Sequence, residues 1–78
     1  MDSWDGMTAA EKDEAVLAVV RREEHWTPLG QSVPHLYYQL KGRFVLEAGH
    51  VRTVLERLVR RGTLVKDVTY HPARYVRR

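Results

Sequence analysis

The stretch Gly49-His50-Val51-Arg52-Thr53-Val54-Leu55-Glu56-Arg57-Leu58-Val59-Arg60-Arg61-Gly62-Thr63-Leu64-Val65 changes period in its middle, and that change decides the fold. Val51, Val54, Leu55, Leu58 and Val59 recur at helical spacing, which predicts a helix over residues 47–61 with one apolar side. Gly62 stops it. At about 100° per residue, the opposite side carries Gly49, Thr53, Glu56 and Arg60, flanked by His50 and Arg57 on one side and Arg52 on the other. Past Gly62, Thr63-Leu64-Val65-Lys66-Asp67-Val68-Thr69-Tyr70 is rich in β-branched and aromatic residues, which predicts a strand. His71-Pro72-Ala73 makes a turn, and Arg74-Tyr75-Val76-Arg77 returns as a second short strand.

Working upstream, Leu36, Tyr37 and Leu40 form the stripe of a second helix over residues 33–41. Ser32 caps it, Pro34 fits its first turn, and Gly42 suits a left-handed residue just past its end. Before it, Pro28 and Gly30 break any helix, and Trp26-Thr27-Pro28-Leu29 reads as a short extended segment with a buried aromatic. A further helix spans residues 8–24: Thr8-Ala9-Ala10-Glu11 fits a capping box, and Ala15, Val16, Leu17, Val19 and Val20 give an apolar stripe. Two strands alone are marginal in water, so the hairpin must lean on the helices, and the segment near Trp26 is a candidate pairing partner. The expected architecture is α+β, mainly α: a three-helix bundle with a C-terminal β-hairpin over residues 8–78. Residues 1–7 are expected as an acidic, flexible tail.

Composition narrows the function. Seventy-eight residues make one domain with a thin core, and without cysteine there is neither a disulfide framework nor a thiolate metal site. No apolar run approaches the roughly 20 residues that cross a bilayer, and the acidic N-terminus is unlike a signal peptide. A cytoplasmic location with no membrane partner is expected. Charge is segregated: residues 1–24 hold seven acids and three bases, whereas residues 25–78 hold ten bases and three acids. Such polarity suits a polyanionic partner for the C-terminal two-thirds.

Val51, Leu55 and Leu58, followed by Arg61, Gly62, Leu64 and Val65, resemble the recognition helix and first wing strand of bacterial and archaeal winged helix-turn-helix regulators. With the upstream helices and the hairpin, the resemblance covers nearly the whole chain from Thr8. It departs from the usual pattern in the long apolar connection Arg43-Phe44-Val45-Leu46 and in a short hairpin loop without a glycine-rich basic tip. The resemblance implies a small sequence-specific DNA-binding protein acting in transcription regulation. The helix over 47–61 would enter the major groove, and the wing over 63–77 would follow the backbone. Base edges would be read by His50, Arg52, Thr53, Glu56 and Arg57. Phosphates would be met by Lys41, Arg43, Arg60, Lys66, Arg74, Arg77 and Arg78. A lone domain buries roughly 600–1,000 Å² on DNA, so a homodimer is expected, joined through residues 8–24 and Trp4.

Other readings compete. Glu56 fits an ion pair with Arg52 or Arg60 at i±4 spacing, and Lys41, Arg60 and Arg61 sit where the helix dipole favours a cation. Trp26, Tyr37, Tyr38, Phe44, Tyr70 and Tyr75 lie on separate elements, as core aromatics do. The four histidines show no metal-ligand spacing, and no nucleophile or phosphate-loop motif occurs. No enzyme activity, metal, cofactor or small-molecule ligand is expected. A winged helix serving as a protein-interaction module in a larger complex is the rival function, and structured RNA is a third partner class.

Overall fold

The apolar repeat around Val51 folds as a helix of the computed structural model, which describes residues 2–78. Helix α3 (Ala48–Arg60) buries Val51, Val54, Leu55 and Leu58. Its end is closed by two backbone bonds, Gly62 N–H to Val59 O (3.0 Å) and Thr63 N–H to Leu58 O (2.9 Å). This Schellman pattern needs a left-handed residue at Gly62, whose φ is +81°. Helix α1 (Ala9–Glu23) starts at the expected capping box: Glu11 N–H donates to Thr8 Oγ1 at 3.1 Å, and Thr8 N–H donates to Glu11 Oε1 at 2.9 Å. Helix α2 (Val33–Leu40) is capped by Ser32, whose hydroxyl accepts from His35 N–H at 3.3 Å. Gly42 does not take the left-handed role given to it, since among the described residues only Gly30 and Gly62 have positive φ. Instead Arg43 N–H closes a turn onto Leu40 O at 3.0 Å, which carries the chain out in ordinary backbone.

Three strands form the larger sheet. The two-residue strand β2 (Gln31–Ser32) lies between α1 and α2, and β4 (Leu64–Asp67) and β5 (Arg74–Arg77) form the hairpin. The sheet is antiparallel in the order β2-β5-β4, with Gln31 opposite Tyr75 and Lys66 opposite Tyr75 on the other side. The hairpin therefore does lean on the chain between α1 and α2, but on Gln31–Ser32 rather than on Trp26. Strand β4 stops at Asp67, short of the predicted Tyr70, because the Asp67 carboxylate turns back onto the Thr69 N–H (3.0 Å) and hydroxyl (2.6 Å). The result is a mainly helical α+β domain whose core lies where α1, α2 and α3 meet the inner face of the sheet.

Two expectations are overturned. Residues 2–7 are not a tail apart from the domain. Strand β1 (Asp2–Ser3) pairs in parallel with β3 (Phe44–Val45), and Trp4 is 1% exposed, edge-on to Phe44 at 5.5 Å. The long apolar connection between α2 and α3 supplies that partner strand, so Trp4 anchors its own chain, not a second subunit. Nor are the aromatics uniformly internal. Phe44 and Tyr75 are buried, Tyr37 and Tyr70 are half-buried, and Trp26 and Tyr38 are exposed. Among the described residues, no helix is long and apolar enough to cross a membrane.

Candidate nucleic-acid interface

The buried stripe of α3 fixes what its other side presents. Gly49, Arg52, Thr53, Glu56 and Arg60 are exposed, as expected for positions opposite Val51, Val54, Leu55 and Leu58. Thr53 Oγ1 donates to Gly49 O at 3.0 Å, which spends the hydroxyl proton and leaves its lone pairs to accept. His50 sits half-buried in the first turn, where its Nδ1 accepts the Glu47 N–H at 2.9 Å. A neutral His50 ring therefore carries its proton on Nε2. The ion pairs considered for Glu56 with Arg52 or Arg60 do not form, and among the described residues Arg52, Glu56, Arg60, Lys66 and Arg78 have no ionic partner.

Arg57 departs from its expected role. It turns away from the exposed stripe toward α1, where its Nε donates to Asp13 Oδ1 at 2.9 Å and its Nη2 bonds the same oxygen. Arg61 Nη1 donates to the other oxygen, Asp13 Oδ2, at 2.8 Å. Asp13 is 6% exposed, and a buried carboxylate requires such partners. A guanidinium held this way is not free to read bases. The signal was present in the sequence: Asp13, Val16 and Val20 share one face of α1, so a charge lay within an apolar stripe and had to be neutralised by a neighbouring element.

The hairpin cations divide similarly. Arg77 bonds Glu24 at the end of α1, its Nε donating to Oε2 at 3.0 Å. That pairing holds the Glu24 carboxyl below its ordinary range and pushes the Arg77 guanidinium further up. Arg77 is thus turned to its own chain rather than to a phosphate. Arg74 lies 4.2 Å from the Tyr70 ring centre and opposite Asp67 in the register. Lys66 pairs with Tyr75 instead, so Lys66 and Arg74 project from opposite faces of the hairpin and do not form one cluster. Arg78 continues β5, its N–H donating to Thr63 O at 3.2 Å. In the connection before α3, the Lys41 ammonium lies 5.0 Å over Tyr38 and Arg43 lies 5.1 Å from the centre of Phe44.

Among the described residues no cluster of three or more His, Cys, Asp or Glu side chains has the geometry of a metal site. Comparison of the chain with protein-family models, curated proteins and solved structures returns no match.

Proposed function

We propose that the chain is a winged-helix domain that binds duplex DNA sequence-specifically and acts in transcription regulation. Helix α3 enters the major groove, and the β4–β5 hairpin lies along the flanking backbone. The element order α1, β2, α2, α3, β4, β5, with β2 beside β5, agrees with that fold. The observation that carries the reading is the outward stripe of α3, where Arg52 and Arg60 stand without ionic partners on the side opposite the core. They stand eight positions apart, about 12 Å along the helix, so one cation can address a base while the other meets a phosphate. Arg52 offers a fork to guanine, Glu56 accepts from a cytosine amino group, and Thr53 accepts a donor from a base edge. Arg60, Lys66, Arg74 and Arg78 serve the backbone. The reading carries a cytoplasmic location with it.

A second reading, a protein-interaction module, draws on the neutralisation of Arg57 and Arg61 by Asp13 and of Arg77 by Glu24. It is also favoured by the unpaired Glu56 in the middle of the stripe. Anisotropy titration of a labelled random duplex separates the two. DNA binding is expected at about 50 mM salt, weakening with a slope near −0.9 in log–log form for each phosphate contacted. Absence of binding at that salt concentration sinks the DNA reading and favours the protein partner. Tighter binding to an RNA duplex than to DNA would redirect the same cations to structured RNA.

A further inference from the structure

Helix α1 has a face that the core does not use. Asp13, Val16, Val19 and Val20 are buried, while Glu11, Glu14, Ala18, Arg21 and Arg22 on the opposite side are exposed. Along that side, toward the β1–β3 pair, runs an open groove of about 570 Å³, lined by the apolar Met7, Ala15, Ala18 and Phe44 and in about equal measure by polar groups, Glu11, Glu14 and Arg43 among them. Just past the end of α1 stand Trp26, 75% exposed, and Leu29, 59% exposed. The Trp26 ring is set edge-on to His25 at 5.0 Å. The molecule thus carries exposed apolar side chains past the C-terminal end of α1 and a partly apolar groove beside its N-terminal half.

We propose that this face is an interface with a second copy of the chain, the two α1 helices packing antiparallel about a two-fold axis near Ala18. The charges support that geometry. Glu11 and Glu14 precede Ala18, and Arg21 and Arg22 follow it. Reversing one helix against the other sets Glu14 of one copy opposite Arg22 of the other, and symmetry repeats the pair. Ala15 and Ala18 let the helix axes approach closely. From Ala18, Glu11 lies about 10 Å along the axis in one direction and Glu23, the last helical residue, about 7 Å in the other, with Trp26 three residues beyond it. In this arrangement the exposed Trp26 of each copy is assigned to the Met7 end of the other's groove. At about 570 Å³ the groove has room for an indole ring, being within the roughly 300–1,000 Å³ of small-molecule clefts. Arg21 now bonds Glu14, and Arg22 bonds Glu23 and Gln39. Because Glu14, Arg21 and Arg22 are all exposed, exchanging such partners costs little. The association is read on the free protein, without DNA, so its test does not depend on the proposed function.

Sedimentation velocity of the free protein from about 1 μM to about 1 mM reads the association directly. A reversible dimer is expected, with Trp26→Ala raising its Kd by at least about tenfold. Glu14→Arg and Arg22→Glu should each weaken it several-fold, and the combined Glu14→Arg, Arg22→Glu variant should recover most of the loss. All three positions are on the surface, so unchanged thermal melts certify the fold. A wild-type chain that stays monomeric throughout, or a Trp26→Ala variant with unchanged Kd, overturns the interface. A combined variant no better than the single ones overturns the antiparallel arrangement. Loss of DNA binding with the dimer intact would count against the function alone.

Discussion

Asp13 holds Arg57 of α3 and Arg61 just past its end, and its position shows how much single residues reveal before folding. Its place in the apolar stripe of α1 was legible and demanded a counter-ion; that Arg57 and Arg61 would supply it depends on how α1 crosses α3. Breaking a fully buried pair costs about 3–5 kcal/mol. Here Arg57 and Arg61 are 30% and 60% exposed, so Asp13→Ala is expected to cost about 2 kcal/mol. Arg57→Ala should cost more than Arg61→Ala, and urea denaturation of the three variants checks that order. Acid titration provides a second test at this scale. Glu11 is held below its ordinary value by the Thr8 N–H, Glu23 by His35, Glu24 by Arg77 and Asp67 by the Thr69 hydroxyl and N–H. A depressed carboxyl stabilises the fold above its unfolded value and loses that contribution as pH falls through the folded value. The urea midpoint should therefore drop as pH is lowered through and below the ordinary values of 4.5 for glutamate and 3.8 for aspartate. The drop should be shallower in Glu23→Gln.

At the scale of elements, capping and periodicity carried most of the information. The Thr8 box, the Ser32 cap and the Gly62 stop are local in sequence, and each helix boundary falls within about two residues of its prediction. Gly62→Ala should cost about 1 kcal/mol, since alanine is strained at its positive φ. Gly42→Ala should be neutral or slightly stabilising, because its φ is not positive and nothing lies within 4 Å of an added Cβ. Thermal melts of the two variants measure the difference. Strand β2 was not legible: two residues hold no period, and only pairing with β5 defines them. The exposure of Trp26 was missed for a related reason. Side-chain type suggested burial, but the turn after α1 points the ring outward, with no element packed over it.

For the molecule as a whole, the least legible feature is the N-terminal segment. Acidic residues around Trp4 suggested a loose tail, whereas a non-local parallel pairing with Phe44–Val45 brings Trp4 into the core. Trp4→Ala should therefore destabilise the domain by about 3–5 kcal/mol, visible as a large shift of the urea midpoint. A change under about 0.5 kcal/mol would suit a surface residue instead. Charge segregation was read correctly from composition, but folding spends part of it, since Asp13 and Glu24 neutralise three of the C-terminal arginines. What remains for a polyanion is concentrated on α3 and around the hairpin. The most direct test of that surface is the salt dependence of duplex binding for the combined Arg52→Ala, Arg60→Ala variant beside the wild type. Losing two phosphate or base contacts should weaken binding at every salt concentration and make the log–log slope shallower by about 1 to 2. Superimposable curves for the two proteins would contradict the assignment of α3 to DNA.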